Sequence, residues 1–553
     1  MVVTLCFSLY VAVGILLDFH YKTFNGDATS RLANAFYVLY SRDPHLAAVG
    51  FVWNPGTSII DLVPLLFYHL WTPLATHAFG ASLASAFCMA GAVYQVDRAL
   101  AEWGVPRAPR LVMVIILALN GMILYYGGDG MSEGLYLFTL LATCRYLLRW
   151  LRDGDLASLV YSATAIGLCY LARNEAVGPA LAAGVVVLGV SYGRGSVTSL
   201  RRDLAPRSAR IWGALTDLAI FEIPIITTLV GWAVASYVIT GQAFGQFTSI
   251  YGTAAQLSVI GSNRPDLTLH ARILHDIRDV SYLAPTLPVL LILAVFCAAR
   301  RRDIGILAPL AVVGSAVAFD GLAYVSGSIA WWFRYFIAAI PLEVLLAGCI
   351  FATAPAVIGL RRPTKPQRSQ AERITYSALA VVAALILLVP SSVTTLLGMK
   401  NPNVGFEEVE NLGYIYNKHL PKGDETTPAT WPGIERMSSY FAGMHLHNGQ
   451  IVVDNFTGCV PDLILRSPNP KIYVIPNDRD FQRILNDPVT FHAQYILEAN
   501  PVDAGTLTSI NRLYPALWKN GAGFAKEVHS FPTSGRCFDF RLFKVLRHPN
   551  SPG

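Results

Sequence analysis

A few charged and aromatic side chains stand out in an otherwise apolar chain, and their types point to one kind of chemistry. Asp27, in Phe24-Asn25-Gly26-Asp27-Ala28-Thr29-Ser30-Arg31, is a carboxylate that can serve as a general base. It has a plainer reading as well: Asn25-Gly26 makes a turn and Asp27 caps a helix over about 28–41. Asp43, just before Pro44, is either a helix stop or a second acid. Tyr125 to Glu133 carries Asp129 and Glu133 among three glycines, a tight hairpin with Asp129 or Ser132 as cap. Glu133, however, opens an apolar helix and needs a polar partner. Arg173-Asn174-Glu175 is open to two readings, an internal ion pair or an arginine that holds a phosphate. Trp331-Trp332-Phe333-Arg334 reads as an aromatic belt at a membrane interface, with Arg334 able to hold a phosphate head group. Carboxylates supply a base, arginines neutralise a phosphate leaving group, and aromatic rings stack on sugars.

The elements that position these groups follow from composition. Hydrophobic residues make up 54% of the 553 and charged residues 14%, against about 25% charged in soluble domains. That excludes a purely soluble enzyme, and it excludes collagen, coiled coil and disorder. Residues 397–553 differ: 15 Lys+Arg balance 15 Asp+Glu, as in a soluble domain. The net charge of +6 therefore sits in 1–396 and reports membrane topology, so no nucleic-acid partner is expected.

Twelve apolar stretches are long enough for a hydrocarbon core of about 30 Å: 2–18, 57–75, 77–97, 110–126, 132–150, 156–172, 175–192, 214–238, 284–299, 304–325, 336–356 and 375–396. The first is not followed by a small-residue cleavage site, which argues against a signal peptide. Five basic loops (98–110, 145–155, 193–211, 300–303 and 361–373) fall on every second connection and hold 19 of the 27 basic residues before 397. All five can then be cytoplasmic, which puts the intervening loops and the C-terminal domain outside. Segment 57–75 contains Asp61, Pro64, His69 and Pro73 and is a poor lipid-facing span. The expectation is eleven spans, N-terminus inside and C-terminus outside, with 57–75 interfacial or re-entrant. Leu32, Phe36, Leu39 and Tyr40 give the first-loop helix an apolar face for lipid.

On this topology the chemistry-bearing residues converge on the outer side, a constellation suited to glycosyl transfer from a lipid-phosphate donor. The alternative is a transporter or lipid flippase. Asp217, Glu222 and Asp320 favour it as intramembrane acids, but no internal repeat accompanies them. His270 and His275 are five apart and share no helix face well, and no Cys/His spacing suggests a zinc site, so no metal site is read and no cofactor is expected, with a divalent ion left open.

The sequence resembles the GT-C superfamily of integral-membrane glycosyltransferases, which includes protein O-mannosyltransferases, lipid A aminoarabinose transferases and mycobacterial arabinosyl- and mannosyltransferases. The likeness rests on FNGDATSRLANAFYVLYSRDPH, WNPGTSIIDLVPLLF, YYGGDGMSEGLYLFTLL, YLARNEA and WWFRYFIAAIPLEVLL. It implies a bacterial plasma membrane protein whose loop 19–55 is extracytoplasmic, with Asp27 as the base. Asp27 is followed by Ala28, so the adjacent second acid of the family is missing, and Asp43 or Asp129 would stand in. The resemblance further implies a polyprenyl-phosphate sugar donor, inversion, and a glycan, lipid or protein acceptor. Arg173 and Arg334, then Arg264 and Lys22, would hold the donor phosphate, and Trp53, Asn54, Glu133, Trp331 and Trp332 would contact sugar or acceptor.

The C-terminal segment alternates strand-like runs (450–454, 471–475, 494–498, 538–545) with helical patterns (431–444, 477–486, 505–517), which suggests a small α/β domain. Cys459 and Cys537 are a candidate disulfide if it faces an oxidising compartment. The expected fold is thus a polytopic α-helical membrane module over 1–396, GT-C-like, followed by an extracytoplasmic α/β domain over 397–553.

Overall fold

The computed structural model describes residues 2–23, 25–194, 206–262, 268–356, 370–416, 427–456, 459–533 and 537–549. Arg264 lies outside them. Among the described residues, seven helices are long and apolar enough to cross a membrane, and nine if each of two bent pairs is one span. The bent pairs are Arg107–Ala118 with Gly121–Gly128 and Leu269–Leu283 with Leu287–Arg301. Eleven spans were expected. The difference lies in Glu133–Asp153, which carries Glu133, Arg145, Arg149, Arg152 and Asp153, and in Leu156–Ala172, which has only 17 residues. Segment 57–75 forms the ten-residue helix Gly56–Leu65, then turns and the short helix Pro73–Thr76. Pro64 lies in the last turn of the first helix, where its missing N–H removes one bond to the preceding turn.

The first-loop helix runs from Gly26 to Tyr40. Its apolar face does not meet lipid, contrary to expectation. Leu32 and Phe36 are fully buried in a core shared with Ile434, Met437, Phe441 and Leu463 of the C-terminal segment, and Leu39 and Tyr40 pack at its edge. The period of 3.6 marks an apolar stripe but not what covers it. Phe36 stacks at an angle on Tyr40 at 5.0 Å and edge-on to Tyr68 at 5.2 Å.

The C-terminal segment carries one five-stranded sheet: β1 (Ile451–Val453), β2 (Tyr473–Val474), β3 (Tyr495–Ala499), β4 (Ala525–Phe531) and β5 (Phe540–Val545), in the order β2-β1-β3-β5-β4. β1 is parallel to β2 and β3, with Ile451 opposite both Tyr473 and Tyr495. β5 is antiparallel to β3, Leu497 facing Leu542, and antiparallel to β4. Strand β4 was not foreseen. It is an edge strand with an exposed middle and an irregularity between Glu527 and His529, so it shows no apolar alternation. The helix expected over 505–517 is broken into short pieces around Thr508, whose hydroxyl caps Ser509–Leu513. Cys459 and Cys537 are joined in a disulfide, their Cα atoms 5.6 Å apart.

Between the last membrane helix, Gln370–Met399, and the sheet lies the helix Phe406–Tyr416. Leu412 of this helix is buried in the membrane module's core together with Val404 and Met399. Each part therefore sends a helix into the other's core. Truncating Phe36 to alanine should cost about 3–5 kcal/mol, read as a lower thermal midpoint of the detergent-solubilised protein. An unchanged midpoint would mean that this helix docks loosely.

Candidate active site

The N-terminus of the helix Gly26–Tyr40 is capped by Asn25, not by Asp27. The Asn25 side-chain oxygen accepts the Asp27 backbone N–H at 3.0 Å. An asparagine in extended backbone one residue before the first turn is well suited to this role. Asp27 is thereby freed from capping, and its side chain is 30% exposed where it lines a cavity of about 900 Å³.

Arg334 holds Asp27 from the other side. It sits on the turn Phe333–Ala338 with a 4% exposed side chain, and its three nitrogens meet three acids. Nη2 donates to Asp27 Oδ2 at 3.0 Å, Nη1 to Glu133 Oε1 at 3.1 Å, and Nε lies 2.6 Å from Glu407 Oε2. Arg173 adds a second bridge: Nη1 donates to the same Glu133 oxygen at 2.8 Å, while Nε and Nη2 hold Glu175. The Tyr335 ring lies beneath both guanidiniums, at 4.9 Å from Arg173 and 5.5 Å from Arg334. Arg31, one turn after Asp27, approaches it to 4.0 Å and lies over the Trp53 ring at 4.8 Å. Burial pushes the Asp27 carboxyl up, but the guanidiniums of Arg31, Arg334 and Arg173 outweigh it and hold the group below the ordinary aspartate value. Asp27 is therefore ionised at neutral pH.

The other two carboxylates expected to do chemistry are placed differently. Asp43 accepts the backbone N–H and the side-chain Nε of Arg479, both at 3.0 Å, and this bonding holds its carboxyl well below the usual range. Beside it Arg42 pairs with Asp478 at 3.1 Å and with Asp480, so 42–43 fasten the first loop to the sheet domain. Asp129 caps its own turn by accepting the Met131 N–H at 3.0 Å. Burial, and then the neighbouring Glu133, push its carboxyl well above the usual range, the opposite direction to Asp27.

Lys22 stands away from the cluster, its ammonium 5.1 Å over the Trp431 ring, which Arg466 covers at 3.7 Å. Asn54 is buried and donates to the Tyr170 carbonyl. Trp331 and Trp332 meet at 5.5 Å, and Trp332 stacks on Phe406 at 6.2 Å. Arg173, Arg334, Glu133 and Asp27 are thus brought together, with Trp53 at the cluster's edge. Asp217 lies apart from them on Arg207–Thr240 and accepts from Ser191, whereas Asp320 is buried on Ser315–Val325 within electrostatic reach of Arg173 and Glu175. Among the described residues no group of three His, Cys, Asp or Glu side chains could hold a metal ion.

Glu407 was missed by sequence reasoning because it lies in the stretch read as a separate soluble domain. It braces the site twice, on Arg334 and on Asn25, whose Nδ2 donates to Glu407 Oε1 at 2.9 Å. Its neighbour Glu408 accepts the Tyr126 hydroxyl at 2.6 Å, and burial, then Glu407, push it up to about 8. The one available signal was a Glu-Glu pair opening an amphipathic stretch directly after the last span.

The fold has a counterpart among solved structures. ArnT from Cupriavidus metallidurans, bound to undecaprenyl phosphate, superposes with a TM-score of 0.50 at 14% identity, over 99% of this chain and 99% of that one. Two oligosaccharyltransferase structures from Archaeoglobus fulgidus are more distant. AglB with an inhibitory peptide and a dolichol-phosphate gives a TM-score of 0.36 at 10% identity, over 100% of this chain and 75% of that one. The enzyme tethered to an acceptor peptide containing the NVT sequon gives 0.37 at 12% identity, over 97% and 74%. No family model matches the chain, and no curated protein matches it in sequence. The chain has the fold of that ArnT structure: a polytopic helical membrane module with a C-terminal sheet domain.

Replacing Glu407 with alanine should loosen the Asn25 cap by about 1 kcal/mol. Hydrogen exchange of the amides at 27–30 should then quicken by about fivefold, and unchanged exchange would show that the brace is dispensable.

Proposed function

We propose that this chain is a membrane glycosyltransferase, a hexosyl- or pentosyltransferase, that moves a sugar from a polyprenyl-phosphate donor to an acceptor hydroxyl on the extracytoplasmic face. The observation that carries the reading is Asp27: an ionised carboxylate, freed from capping, fixed by Arg334 at 3.0 Å and open to a large cavity. Asp27 takes the proton of the acceptor hydroxyl, and that oxygen attacks the anomeric carbon as its bond to the donor phosphate oxygen breaks. The electron pair leaves with polyprenyl phosphate, and attack opposite the leaving group inverts the centre. Arg31, Arg173 and Arg334 keep the base ionised and supply positive potential for the departing phosphate. Their carboxylate partners hold the guanidiniums in place, so they act on the departing phosphate through their field. The ArnT structure of the same fold holds undecaprenyl phosphate, which supports a lipid-phosphate donor here. The basic loops on the opposite side, with their 19 Lys and Arg, support the extracytoplasmic placement.

Asp27→Asn should lower transfer by about 10²–10⁴-fold with normal expression; retained transfer would remove Asp27 as the base. The rate should stay flat as pH falls through 6 and 5, because the base remains deprotonated until below the ordinary aspartate value of about 3.9. In Arg334→Gln the lost guanidinium raises the Asp27 pKa, so the acid limb of kcat/KM should move to higher pH. An unmoved limb would mean that another group governs it.

A further inference from the structure

The cavity beside Asp27 is lined by the sheet domain and by residues within 239–259, and its lining has a distinct chemistry. A row of three carboxamides crosses the junction between the first-loop helix and the sheet domain. Asn455 Nδ2 donates to Asn477 Oδ1 at 2.7 Å; Asn477 Nδ2 donates to the Ala48 carbonyl at 2.7 Å and lies 3.4 Å from Asn34 Oδ1. All three line the cavity and none is fully buried. Gly50 passes beside them with φ +76°, a left-handed backbone conformation that favours glycine. Opposite, Tyr251 stacks on Phe456 at 4.8 Å, and its hydroxyl donates to Asp454 at 2.6 Å, which fixes the loop to the sheet domain.

The carboxylate, imidazole and guanidinium side chains of the described lining are those of Asp27, Asp478, His45 and Arg479, and each is engaged within the protein. Asp27 is on Arg334, Asp478 on Arg42, Arg479 on Asp43, and His45 Nδ1 lies 2.7 Å from the Asp43 carbonyl. The described lining contains no lysine and one arginine. An anionic acceptor would meet no unengaged cation here and would face the negative Asp27, whereas hydroxyls match carboxamides and sugar rings match aromatic faces. At about 900 Å³ the space exceeds a single sugar ring and falls in the range of sites that enclose whole ligands.

We infer that the acceptor is a neutral oligosaccharide, its terminal sugars seated on the Asn34–Asn477–Asn455 row and the Tyr251–Phe456 stack, with one hydroxyl delivered to Asp27. The inference rests on the transferase reading in taking this cavity as the acceptor's. The test uses the full-length protein in nanodiscs, probed with neutral manno-, galacto-, gluco- and arabino-oligosaccharides, with the same oligosaccharides phosphorylated, and with acidic peptides. Neutral oligosaccharides should bind best. Asn34→Ala should weaken them at least tenfold while the thermal midpoint stays near that of the unchanged protein. Asn455→Asp, which keeps the shape and adds charge, is the second variant and should weaken them as well. Asp27→Asn should bind neutral oligosaccharide while failing to transfer sugar. Preference for phosphorylated oligosaccharides or peptides, no binding of any neutral oligosaccharide, or wild-type binding in both amide variants would overturn the inference. Neutral oligosaccharide bound at these amides without sugar transfer in the unchanged protein would instead sink the transferase reading and leave the subsite standing.

Discussion

A buried guanidinium surrounded by three carboxylates is the constraint on which the rest of this structure turns. Arg334 is almost inaccessible, and a buried charge is strongly destabilising unless its partners are in place. Those partners come from the first loop (Asp27), from the start of the helix Glu133–Asp153 (Glu133) and from beyond the last membrane helix (Glu407). Satisfying one side chain therefore fixes three distant segments at one point. Glu133 then recruits Arg173, so the membrane helices and the two connecting turns share one charge lattice.

The same lattice separates the roles of nearby acids. The Asp27 carboxyl is held low because guanidiniums outweigh its burial, whereas the Asp129 carboxyl is pushed up because burial and a neighbouring acid act in the same direction. Asp43 is also ionised, but Arg479 engages it. Residue type alone cannot make this distinction; the environment does.

How far the sequence could be read follows from which signals are local. The apolar runs, the basic loops and four of the five strands are encoded in contiguous residues, and most of them correspond to elements of the fold. Asp27, Glu133, Arg173 and Arg334 were visible because charge beside an apolar run is rare. The errors arose where meaning depends on contacts remote in sequence. The stripe Leu32–Phe36 looks the same whether lipid or protein covers it, and it is protein. The choice between Asn25 and Asp27 as cap depends on the two-residue reach of the cap and on Glu407 behind it. The carboxamide row joins Asn34 to Asn455 and Asn477, so no local pattern announces it.

The order of the parts along the chain has a consequence for biosynthesis. Asn25 and Glu407 bond across a separation of 382 residues, and the cavity is lined by Asn455 and Asn477 later still. A growing chain thus makes its base first and acquires the brace and the cavity wall last. Throughout synthesis Asp27 stands in an unfinished enclosure, so a partly made polypeptide cannot present the complete site to the surrounding lipids.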